Sequence, residues 1–115
     1  MNYTKDVAIA IRKKDLSEVL KIMPNLSKKA QLYESETDAN VIIISFTWIV
    51  WNKEVEPEIE DLMDYLDLID AIFVSRGESL NDNEEEYYNE VEDLYEHLEI
   101  VRYINFKGKL LKEVK

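Results

Sequence analysis

Between Glu54 and Glu99 the chain carries eighteen carboxylates and one basic side chain, Arg76, whereas the remaining residues hold seven acids and thirteen bases. Carboxylates at this density could do acid–base chemistry as a poised pair, hold a hard cation through oxygen, or dock on a positively charged partner. Glu60/Asp64, Asp64/Asp67, Glu86/Glu90 and Glu92/Glu96 stand three or four residues apart, so on helices they form rows of like charge. A surface selected only for solubility gains by mixing Glu with Lys at that spacing. Here each pair instead costs a few tenths of a kcal/mol, for a sum on the order of 1–3 kcal/mol at low salt. Such charge is expected to meet a basic partner. The candidate partner-binding residues are Glu60, Asp61, Asp64, Asp67, Glu85, Glu86, Glu90, Glu92, Asp93 and Glu96, with Tyr65 and Tyr88 as aromatic anchors.

The inventory for catalysis is thin. The one histidine, His97, falls near a helix end crowded with acids, where a charged imidazole has a structural reason to sit. Only two glycines, Gly77 and Gly108, are present, so no glycine-rich phosphate loop can form. The absence of cysteine removes thiolate metal sites, cysteine nucleophiles and disulfides. Asn81-Asp82-Asn83-Glu84 is oxygen-rich but lacks the alternating ligands and central glycine of a calcium loop, and reads as a helix cap. The expectation is a protein that is not an enzyme, with no cofactor and no metal.

Net charge −11 and a pI near 4.5 argue against direct contact with nucleic acid or anionic membrane, both polyanions. The longest apolar stretch, Val41 to Trp51, is broken by Ser45 and Thr47 and is too short to cross a bilayer. With no leader sequence and no cysteine, the expected location is cytoplasmic.

The elements that must position the acids follow from periodicity. Residues 1–115 suffice for one domain with one core. Val7 to Ile11 alternates large and small apolar residues, which suits a strand, although a helix also fits. Asp15-Leu16-Ser17-Glu18 has capping-box spacing and opens a helix that Pro24-Asn25 ends. Ala30–Glu36 and Val41–Asn52 form a hairpin around Thr37-Asp38-Ala39-Asn40. In its second arm Ile42, Ile44, Phe46, Trp48 and Val50 line one face, with Ile49 and Trp51 on the other. Pro57 starts a helix whose inner stripe is Ile59, Leu62, Met63, Leu66 and Ile69. Ala71–Ser75 is a strand, and Glu84–His97 a second acidic helix capped by Asn83, with Tyr87, Val91, Leu94, Tyr95 and Leu98 turned inward. Glu99–Phe106 returns to strand before a turn at Gly108 and a basic tail. The predicted fold is α+β, a single small acidic domain with a mainly antiparallel sheet of about four or five strands and two or three helices, in the order β-α-β-β-α-β-α-β.

The run Phe46-Thr47-Trp48-Ile49-Val50-Trp51, the segment Leu62–Leu68 and Phe73-Val74-Ser75-Arg76-Gly77-Glu78 together resemble small, uncharacterised acidic proteins carried by phages and mobile elements of Gram-positive bacteria. Ser75 departs from that pattern, in which the position is apolar. The resemblance implies a phage–host setting in which acidic inhibitors of defence nucleases are common, and it transfers no catalytic residue. Carboxylates one helical turn apart could imitate part of a phosphate track and fill the basic groove of a nucleic-acid-binding protein such as a restriction or CRISPR effector. The same surface would serve an immunity protein or antitoxin against a basic nuclease toxin. A chaperone-like or structural interaction module is the alternative of another class, docking or dimerising through Trp48, Trp51 or Leu110-Leu111.

Overall fold

The computed structural model describes residues 4–35, 38–77, 83–91, 94, 99–100, 104–105 and 108–110. Strand β1 (Thr4–Arg12) is followed by a 3-10 turn and helix α1 (Leu16–Ile22), then by the hairpin β2 (Gln31–Ser35) and β3 (Val41–Val50). Helix α2 (Glu58–Leu66) leads to β4 (Ala71–Arg76), and β5 (Asn83–Tyr88) is the next described element. Short strands β6 (Glu99–Ile100) and β7 (Ile104–Asn105) pair with each other, and β8 (Gly108–Leu110) returns to the main sheet. That sheet has six strands in the order β5-β4-β1-β3-β2-β8, every neighbouring pair antiparallel. The first six elements run β-α-β-β-α-β with spatial order β4-β1-β3-β2, the split-βαβ arrangement of ferredoxin-like domains. The chain is thus the α+β domain that the apolar periodicity predicts.

Residues 7–11 are strand, and their alternation acquires a reason. Val7, Ile9 and Ile11 point to the face carrying both helices, where they meet Val19 and Met23 near α1 and Ile59, Leu62 and Leu66 of α2. Ala8 and Ala10 point to the other face, where small side chains leave room for the layer to which Val91 and Leu94 belong. Each fully buried branched aliphatic contributes roughly 1.5–3 kcal/mol, so two covered faces on a short sheet stabilise a chain of this length. No helix among the described residues is long and apolar enough to cross a membrane.

β3 departs from strict alternation. Lys5 pairs with Ile49 but Val7 pairs with Phe46, so Asp6 alone opposes both Thr47 and Trp48. This β-bulge places Trp48 at φ 53°, in the left-handed region, at a cost of roughly 1–2 kcal/mol for a residue with a Cβ. The Trp48 amide donates to Oδ1 of Asp6 at 3.0 Å, which fixes the bulge. Beyond it the faces exchange. Ile49, expected on the face away from Ile42, Ile44 and Phe46, joins them in the helix-covered core. Trp51 packs on Phe46 and Phe73, with ring centroids 5.5 and 5.7 Å away. Trp48, expected on the same face as Phe46, is 78% exposed.

The second acidic helix, predicted for Glu84–His97, is the larger correction. Residues 83–88 hydrogen-bond along β4 as an edge strand, in register from Ala71–Tyr88 to Arg76–Asn83. Tyr88 packs against the core beside Ala71 and Phe73, a reward that outweighs the modest helix preference of glutamate. Asn89 then takes φ 59°, a conformation asparagine tolerates, and its side-chain amide donates to the carbonyls of Asp67 and Ile69 at the end of α2. That clasp stops any helix from running through residue 89. The inner positions Tyr95 and Leu98, with His97, lie outside the described residues. Two smaller expectations also change. Asp15 makes no side-chain capping bond, because a 3-10 turn already feeds α1. Gly108 opens β8 instead of forming a turn.

Candidate acidic docking surface

Helix α2 explains itself from its sequence. Pro57 occupies its N-cap with φ −60°, already suited to helix entry. Glu58, Glu60 and Asp61 in the first turn oppose the positive end of the helix dipole. Glu58 does more than that: its carboxylate accepts from the amides of Asn25 and Leu26 at 2.9–3.1 Å and ties the loop after α1 to the start of α2. With Ile59, Leu62 and Leu66 facing the sheet, Glu60, Asp61, Asp64 and Asp67 are left exposed. Asp64 and Asp67 sit at the C-terminal end, where the dipole disfavours anions and where no basic residue balances them.

β5 adds the second row. Because successive strand residues point to opposite faces, Glu84, Glu86 and Tyr88 share the face of Ala71 and Phe73, over which α2 packs. Glu85 and Tyr87 point the other way. Glu84, Glu85 and Glu86 are all exposed. The two rows converge at Tyr88: its hydroxyl donates to Oε2 of Glu86, and Asp67 and Glu84 lie near enough to act on it electrostatically. Burial is the first cause that pushes the Tyr88 phenol above its ordinary range, followed by the Glu86 hydrogen bond and these neighbouring charges. The Tyr65 phenol is also raised, first by burial and then by Asp15 and Glu18, which places it on the flank of α2 toward α1. Both rings are half-buried supports of the core, so the fully presented aromatic ring is Trp48.

The structure therefore leaves Glu60, Asp61, Asp64 and Asp67 exposed on α2 and brings Asp67 and Glu86 together around Tyr88 with Glu84, which a helix from Glu84 to His97 would place in its first turn. Glu85 stands on the opposite face of the same edge strand. Glu90 is exposed in the bend after β5, so Glu86 and Glu90 are not helical neighbours. Its backbone joins a small network in which Arg12 Nε donates to Oδ2 of Asp70 at 3.0 Å, Arg12 Nη2 to the Glu90 carbonyl at 3.3 Å, and the Glu90 amide to Oδ1 of Asp70 at 3.1 Å. The Arg12 hydrogen bond, opposed by some burial, holds the Asp70 carboxyl below the usual range. Glu92, Asp93 and Glu96 lie outside the described residues.

Among the described residues no group of histidines, cysteines, aspartates and glutamates is arranged to hold a metal ion. Asn83, from the oxygen-rich stretch, accepts from Arg76 Nη1 at 3.1 Å. Neither ion pair nor hydrogen bond engages the carboxylates of Glu60, Asp61, Asp64, Asp67, Glu84 or Glu85 among the described residues. What the arrangement offers chemically is a patch of solvated negative charge on two rigid elements. No protein-family model, curated protein or solved structure matches this chain.

Proposed function

We propose that this chain is a non-catalytic acidic binding domain that occupies the cationic nucleic-acid site of a basic partner, such as a restriction or CRISPR effector. One observation carries the reading: among the described residues the carboxylates of Glu60, Asp61, Asp64, Asp67 and Glu84 on α2 and β5 make no ion pair, although Asp64 and Asp67 lie at the end of α2 whose dipole disfavours anions. The spacing suits the role. Same-face residues of a strand, such as Glu84 and Glu86, are about 6.8 Å apart, twice the roughly 3.4 Å rise per phosphate along one strand of DNA, and α2 offers carboxylates about one 5.4 Å turn apart. Docking would displace counterions from both surfaces, so affinity would fall steeply with salt.

The test is capture on the immobilised protein from cell lysate at low and high salt, with mass spectrometry of what is held. The expected catch is a basic, nucleic-acid-binding protein that duplex DNA displaces and that is lost as salt rises. Recovery of only neutral or acidic proteins, or capture indifferent to salt, overturns the reading.

A further inference from the structure

The bulged end of β3 forms a second surface of opposite chemistry. Thr4, Lys5, Asp6, Trp48, Arg76 and Gly77 line an open cleft of about 250 Å³ where β1 begins and β3 and β4 end. Arg76 is the single base of the acidic window, and it lies here. β1 runs between β3 and β4, so Trp48 and Arg76 stand about two strand spacings apart, roughly 10 Å, with Asp6 between them.

Three features mark this as a built site. Trp48 holds a left-handed backbone that a glycine would adopt freely, and the outcome of that strain is to turn an indole out to solvent. Bulges recur where a side chain must be re-aimed beside a binding site. The conformation is also secured: the Asp6 carboxylate holds the Trp48 amide, and Asn83 of β5 holds the Arg76 guanidinium at 3.1 Å. An exposed π-face offers stacking to any planar ring, and a guanidinium offers charge-assisted hydrogen bonds to an oxyanion.

We propose that this cleft binds a small aromatic ring carrying an anionic group, the ring stacked on Trp48 and the phosphate or carboxylate held by Arg76. Its volume of about 250 Å³ suits a ligand of about mononucleotide size. The inference is independent of the acidic surface, because it uses other residues and a ligand of the other sign.

Nitrogen-15 NMR of the full chain tests it, since two tryptophans give two indole N–H signals and Trp48→Phe identifies one of them. The probes are adenosine monophosphate, benzoate, adenosine and inorganic phosphate. A saturable shift of the Trp48 signal is expected with at least one aromatic anion, with Kd on the order of 1 mM or tighter. Preference for the nucleotide or for benzoate identifies the anion as phosphate or carboxylate. Adenosine and phosphate alone should bind at least tenfold more weakly, and Arg76→Met should weaken the aromatic anion by a similar factor. No saturable shift with either aromatic anion up to about 10 mM overturns the proposal. So does binding that Arg76→Met leaves unchanged, or adenosine binding equal to that of its monophosphate.

Discussion

Helix α1 and its surroundings, compared with α2 and the β5 edge, show one chain treating surface charge in two ways. Around α1 acids and bases interleave: Lys21 reaches Glu18 at 3.9 Å, Lys13 reaches Glu34 at 3.6 Å, and Lys29 reaches Glu56 at 3.9 Å. An open groove beside α1 is rimmed by Lys13, Lys21 and Lys28. Among the described residues the carboxylates of Glu60, Asp61, Asp64, Asp67 and Glu84 on α2 and β5 make no such pair. Both regions cover the same core cluster and meet the same solvent, so neither folding nor solubility requires the difference. The bare acids are therefore the side on which selection for a partner is the more economical explanation.

The largest effect expected from breaking this contrast is on capture. Reversing Glu60, Asp64, Asp67 and Glu84 to lysine should reduce partner retention at least tenfold, with the circular dichroism spectrum unchanged. Reversing Lys21 and Lys28 to glutamate should leave retention within about twofold. Equal losses from the two sets would erase the distinction between the regions.

The first β-α-β-β-α-β of this fold was legible because its stripes and alternations are strongly apolar, and burial on two faces of a sheet leaves little freedom of register. The acids of α2 were legible for the same reason: once Ile59, Leu62 and Leu66 turn inward, their polar neighbours must turn outward. β5 was not. Glu84 to Tyr88 is short and polar, its helix preference is real, and only pairing with β4 and the Asn89 clasp decide against a helix. The bulge at Trp48 was hidden because both parities of Phe46 to Trp51 are apolar, so slipping one residue exchanges one buried face for another. The identity of the exposed tryptophan follows from that slip.

A sharper difference between the regions concerns pH. Asp70→Ala removes the acceptor that Arg12 and the Glu90 amide share, and should cost about 1–2 kcal/mol in denaturant unfolding at neutral pH, the partial exposure of the pair keeping it low. Because the folded pKa of Asp70 is depressed, its contribution is present above the ordinary carboxylate range and is lost as pH falls through the folded value. The penalty of the variant should therefore shrink in strong acid. Tyr88 has the opposite sign. Its folded pKa is raised, so its contribution is full below the ordinary tyrosine value of about 10 and is lost as pH climbs through the higher folded value. Tyr88→Phe should flatten the alkaline limb of a stability–pH profile and leave the acid limb alone.

Salt separates the regions next. Screening weakens attraction around α1 and repulsion around α2 and β5 alike. If the bare acids outweigh the three exposed ion pairs, raising ionic strength with sodium chloride should stabilise the protein, by on the order of 1 kcal/mol. A fall in stability over that range would mean that the mixed surface dominates.

The smallest effect is the most local. Asp64→Lys places an ammonium one turn after Glu60 in the favourable acid-before-base order, near the negative end of the α2 dipole. It replaces two like-charge contacts, with Glu60 and Asp67, by attractive ones, and should raise stability by about 0.5–1 kcal/mol at low salt. Glu18→Lys on α1 makes the converse exchange, breaking the pair with Lys21, and should lower stability by a few tenths of a kcal/mol. If the α2 variant is more stable and yet captures less partner, the carboxylate at position 64 is kept for binding at the expense of the fold. If it loses stability, Asp64 has a structural role that its exposure conceals, and the case for this surface must rest on Glu60, Asp67 and Glu84.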